Sequence, residues 1–150
     1  MRTLALIVAL SLTASLAVCA QPLRLPDSPT PQQAYKPLLS VGCFAFGGVG
    51  YAGVTSDGER AYRSIACSTN ALALFSAAVT NGNAQTKLYA LCGIRQFAPR
   101  TFDTNAKPLL IANPRVKTMS GCILRSESTS NVVARIASGF YDTYFKSPKH

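Results

Sequence analysis

The chain has 150 residues, with 15 Lys and Arg against 6 Asp and Glu, one His, five Cys and no Trp. That length excludes a large multidomain enzyme and suits one domain with its own core; an apolar content of 48% excludes a disordered chain. One imidazole and six acids leave little material for acid–base, metal or nucleophilic chemistry.

Residues 1–20 read as a secretory signal peptide. Met1-Arg2 supplies the positive start, Leu4 to Leu12 is almost wholly apolar, and Val18-Cys19-Ala20 is a small-residue cleavage pattern ahead of Gln21-Pro22. Cleavage after Ala20 removes only one charge, Arg2, and takes the net charge from +9 to +8. Leu16-Ala17-Val18-Cys19 also bears on a lipoprotein signal, with lipid attached at Cys19, although a branched Val stands where that signal has a small residue. The longest later apolar run, Ala71 to Val79, is about half a membrane span, so no transmembrane segment is expected once the signal is gone. The expected location is the periplasm, with a lipid anchor at Cys19 as the alternative.

In an oxidising compartment the remaining Cys43, Cys67, Cys92 and Cys122 are an even set and read as two disulfides. Cys43–Cys67 with Cys92–Cys122 is the preferred pairing, because each bridge then closes a local loop. A metal site is disfavoured, since there is no C-x-x-C and His150 is the only imidazole.

Residues 21–40 hold Pro22, Pro26, Pro29, Pro31 and Pro37 and read as an extended leader, with the domain over 41–150. Gly47, Gly48, Gly50 and Gly53 form a glycine-rich entry loop. Ser56-Asp57-Gly58-Glu59 then carries a capping-box pattern opening a helix with Ala61, Tyr62, Ile65 and Ala66 on one face. A second helix has Leu72, Phe75, Ala78 and Val79 and ends at Asn81-Gly82-Asn83; a third runs from about Ala84 to Gln96 until Pro99 stops it. Thr101 to Ala106 adds one short turn, and Pro108 and Pro114 imply irregular chain. Val116 to Arg125 suits one short strand pair. Ser128-Thr129-Ser130 caps a last helix with Val132, Val133, Ile136, Phe140 and Tyr144, which Gly139 should weaken or bend. The expected fold is mainly α: three to four helices, a glycine-rich entry loop, little or no β and two disulfides.

Gly48-Val49-Gly50-Tyr51-Ala52-Gly53 spells G-x-G-x-x-G. Dinucleotide binding needs those glycines at a strand-to-helix turn, whereas the helix cap here falls later, at Ser56, so no cofactor is expected. A hydrolase triad lacks its histidine, G-x-S-x-G is absent, and Asp57 and Glu59 look like helix-cap residues rather than a catalytic pair. The basic excess remains. Its dispersal and the export signal disfavour nucleic acid. An anionic envelope component or an acidic protein surface fits better, with Arg60, Arg63 and Arg95 as the candidate contact residues beside the glycine loop.

Gly47-Gly48-Val49-Gly50-Tyr51-Ala52-Gly53, Thr55-Ser56, Glu59-Arg60-Ala61-Tyr62-Arg63, Leu88-Tyr89-Ala90-Leu91-Cys92-Gly93-Ile94 and Met119-Ser120-Gly121-Cys122-Ile123 are the segments that carry a resemblance. Over most of residues 43–145 the chain resembles a group of small exported bacterial proteins. The resemblance implies an exported bacterial domain of short helices with a glycine-rich entry loop, and it brings no catalytic residue with it. The expectation is therefore a non-catalytic binding module of a Gram-negative envelope, periplasmic inhibitors of this size being one version. A small envelope enzyme with its site near Glu59 and the glycines, or a structural envelope lipoprotein, are the alternatives.

Overall fold

A computed structural model describes residues 30–145; the signal peptide, Cys19, the first part of the proline-rich leader and His150 lie outside them. Thr30 opens the first helix, α1 (Pro31–Leu39), with a reciprocal cap: its hydroxyl accepts from the Gln33 amide at 3.3 Å, and Gln33 Oε1 accepts from the Thr30 amide at 3.0 Å. Pro31 sits at the first helical position, where its missing donor costs nothing. Ala34 and Leu38 are buried as α1 packs on α2 (Asp57–Ala66). The expected extended leader is thus corrected over residues 31–39: two buried side chains and a cap outweigh Pro37, which lies inside the helix.

Between α1 and α2 the glycines fold back as a hairpin, β1 (Gly48–Val49) against β2 (Val54–Thr55), with Gly50 and Gly53 at φ 70° and 61°. Ser56 caps α2 by accepting from the Glu59 amide. The chain continues through α3 (Ala71–Asn81) and α4 (Ala84–Phe97), the latter capped by the Asn83 side chain on the Thr86 amide. A short 3₁₀ turn over Pro99–Thr101 leads into α5 (Phe102–Ala112). The short turn expected at 101–106 is here a three-turn helix that passes through Pro108, because Phe102, Ala106 and Leu109 form a buried face. A second antiparallel hairpin follows, β3 (Arg115–Ser120) paired with β4 (Ile123–Ser128), and then α6 (Thr129–Ala137) and α7 (Asp142–Phe145).

The bend expected at Gly139 is a complete break, with Gly139 at φ 81° between α6 and α7. The break shifts the apolar register by one residue. Phe140 points outward at 62% exposure, and Tyr141 enters the core instead.

Mainly helical is right for the described residues, but the finer expectations are corrected: there are seven α-helices, two antiparallel hairpins and no disulfide among them. All four described cysteines are free. Cys43 lies two residues before Ala45, whose carbonyl accepts from Ser56 at the start of α2, whereas Cys67 caps the far end of that helix. Eleven residues of helix rise separate Ser56 from Cys67 by about 16 Å, against the roughly 7 Å limit between Cα atoms that a bridge tolerates. Cys92 is fully buried in α4, while Cys122 stands exposed at the β3–β4 turn.

Burial does the work assigned to the bridges. Helix α4 packs against α2, α3, α5, α6 and β3, and Leu88 through Ile94 are all buried. An aromatic cluster joins it to the loop before β1: Phe44 and Phe46 lie 4.8 Å and 5.2 Å from the Tyr89 ring, and Phe46 meets Tyr62 edge-on at 5.3 Å. The Tyr89 hydroxyl donates to the Ala45 carbonyl at 2.7 Å and accepts from the Ala45 amide at 2.8 Å. That ring lies so close to Gly58 that a Cβ there would stand 2.5 Å from a ring carbon. Among the described residues no helix is long and apolar enough to cross a membrane.

Candidate functional site

Two glutamate–arginine pairs organise the polar chemistry. The first is Glu59 at the third position of α2, where the capping pattern placed an acid against the positive helix end. It is 1% exposed and accepts from the Gly47 amide at 2.7 Å and from Arg63 at 2.6 and 2.8 Å. The carboxylate therefore ties the glycine loop to α2, and it is closed to any substrate.

The second pair sits where β4 turns into α6. Glu127 Oε2 accepts from Arg135 Nη1 at 2.7 Å, Oε1 accepts from Nη2 at 3.1 Å, and Thr118 Oγ1 donates to Oε1 from the neighbouring strand. Arg135 Nε also donates to the Tyr141 hydroxyl at 3.2 Å. Strand alternation accounts for the grouping: Thr118, Arg125 and Glu127 share the inward face of the hairpin, and Gly139 delivers Tyr141 from the opposite side.

These groups line a cleft of about 170 Å³ closed by Phe44, Phe46 and Tyr144. The hydrogen bonds from Arg135 hold the Glu127 carboxyl below its usual range against the opposing effect of burial, with Thr118 and the positive charges of Arg135 and Arg125 adding to it. The same bonds push Arg135 up, and burial pushes the Tyr141 phenol up. An ionised carboxylate with its lone pairs occupied is a poor proton donor near neutral pH. The cleft is thus equipped to hold a group against aromatic walls, and Arg125, with no carboxylate in ion-pair distance among the described residues, supplies its uncompensated charge.

Arg60, Arg63 and Arg95, the candidate contacts from the sequence, are each engaged within the chain. Arg60 pairs with the exposed Asp57, Arg63 with Glu59, and Arg95 with Asp142 at 3.2 Å and with the Ala137 carbonyl at 2.7 Å. Arg60 borders a depression with Val41 and Val54; Arg95 borders another with Pro99 and Phe145. Arg125, Arg135 and Tyr141 were not singled out as site residues from the sequence. A period-two pattern over 115–120, with Arg115 and Lys117 on one face and the buried Val116 and Thr118 on the other, marks the first strand of the hairpin but none of these site residues. Among the described residues no group of three or more His, Cys, Asp or Glu converges to hold a metal.

Compared with protein families, curated proteins and solved structures, the chain matches none.

Proposed function

We propose that this chain is a non-catalytic binding module of an exported, periplasmic protein and that it takes an anionic partner on the β3–β4 hairpin. One observation carries the reading. Of the five described carboxylates, Asp57, Glu59, Glu127 and Asp142 are each taken up by one arginine. Seven cations have no carboxylate in ion-pair distance among the described residues, and three of them, Arg115, Lys117 and Arg125, lie on this hairpin. Arg115 and Lys117 occupy its outward face and Arg125 the cleft, so both sides of one element present positive charge. Uncompensated charge of one sign on a single element raises the local concentration and on-rate of an anionic partner.

The test is retention on a polyanionic resin. The protein should bind at low salt and elute as salt screens the charges. Replacing Arg115, Lys117 and Arg125 by Ser should lower the elution salt far more than replacing Lys36, Lys87 and Arg100. Equal shifts would mean that net charge alone is read and would end the proposal for this hairpin. A mature N-terminus at Gln21 in the native protein is the matching test of export.

A further inference from the structure

The two hairpins meet at their tips. The Gly50 amide donates to the Gly121 carbonyl at 3.0 Å, and Val49 bridges to Gly121, so the β1–β2 turn lies against the β3–β4 turn. Gly50, Gly53 and Gly121 all adopt positive φ there, which lets both turns be tight. The side chains around this junction are apolar and out in solvent: Tyr51 is fully exposed, and Val54, Ile123 and Leu124 are each more than half exposed. None of them contributes to the core, and exposed apolar side chains grouped in this way mark a surface that something else covers.

We infer that the paired hairpin tips are a docking point for an anionic lipid surface, with Tyr51, Val54, Ile123 and Leu124 entering the headgroup region and Arg125 and Lys117 meeting the phosphates. This rests on the anionic-partner reading and narrows it. Charge selects the occupant. Behind the apolar tip, β4 carries Arg125 two residues from Ile123, and β3 carries Lys117 and Arg115. The acids nearest in sequence are neutralised: Asp57 pairs with Arg60, Glu59 with Arg63 and Glu127 with Arg135. An apolar tip with Arg125 and then Lys117 behind it along the hairpin matches the order of acyl boundary and phosphate at a lipid interface, and a tyrosine at the tip suits the headgroup level. A second copy docking tip to tip would bring two such sets of cations together without acids between them.

The chain has no Trp, so Tyr51→Trp places a single reporter at the tip. Its emission should shift to the blue with vesicles of phosphatidylglycerol and phosphatidylethanolamine, and stay unmoved with phosphatidylcholine vesicles or soluble dextran sulfate. In co-sedimentation, Ile123→Ser with Leu124→Ser should lower partitioning onto the anionic vesicles about tenfold, and Arg125→Ser about fivefold. The Ser pair should leave retention on the polyanionic resin unchanged. Resin binding that persists while vesicles neither sediment the protein nor move the tip emission overturns the lipid assignment and leaves the anionic-partner reading standing. Loss of resin and vesicle binding together in the unmodified protein overturns both. A dimer on size exclusion that the Ser pair dissociates makes the tips a self-interface and likewise overturns the lipid assignment.

Discussion

Glu59 and Glu127 are each bonded to an arginine further along the chain, Arg63 four residues on and Arg135 eight residues on. The Glu59 carboxylate is shut in at 2% side-chain exposure, its partners all supplied by the loop and helix it joins. Glu127 keeps 17% side-chain exposure and opens on a cleft with a phenol and aromatic walls. The same pair of residue types closes off one corner and lines an open cleft in the other. What separates them is how far the surrounding chain closes over the carboxylate.

The largest effect of breaking this contrast belongs to the closed corner. Glu59→Ala removes the acceptor of the Gly47 amide and the partner of Arg63, and it should lower unfolding free energy by about 3 kcal/mol in urea titration. Next is Gly58→Ala. An alanine would ordinarily favour the helix, but the Tyr89 ring is held at its hydroxyl by Ala45 and cannot retreat, so a loss of about 2 kcal/mol is expected in the same measurement.

The open corner should respond less, and with pH. Because the folded Glu127 pKa lies below its unfolded value, the pair stabilises the fold above the ordinary carboxylate pKa, and that contribution is lost as pH falls through the folded value. Glu127→Gln should cost about 1–2 kcal/mol at neutral pH, and its difference from the parent should shrink in acid. A difference that stays constant with pH would show that the carboxylate charge plays no part. Tyr141→Phe, which removes only the acceptor of Arg135 Nε, should cost about 0.5–1 kcal/mol. The smallest effect is expected from reductant: with the four described thiols free, dithiothreitol should leave the thermal midpoint unchanged.

Local signals carried much of this fold in the sequence. Ser56 and Asn83 cap helices where the pattern put helix starts, and Gly139 interrupts the last apolar stripe. What escaped was chain whose helicity depends on remote burial. Pro37 and Pro108 argue against helix locally, yet Leu38 and Leu109 are buried beside them, and the Thr30-to-Gln33 cap was the overlooked cue in α1. The cysteine count suggested bridges because parity carries no information on where the sulfurs end up. The Glu127–Arg135 contact was invisible for a related reason. It spans a strand-to-helix corner, where neither period two nor period 3.6 applies, and Tyr141 reaches it only because Gly139 displaces the register.

The sulfur of Cys92 has one more use. It sits at the centre of α4 with no exposure, and burial pushes its thiol well above the ordinary range. An alkylating reagent can reach it only when the surrounding helices part, whereas Cys67 and Cys122 are already at the surface and Cys43 is only half-buried. Once those outer thiols are blocked, the labelling rate at Cys92 becomes a built-in clock for whole-domain opening.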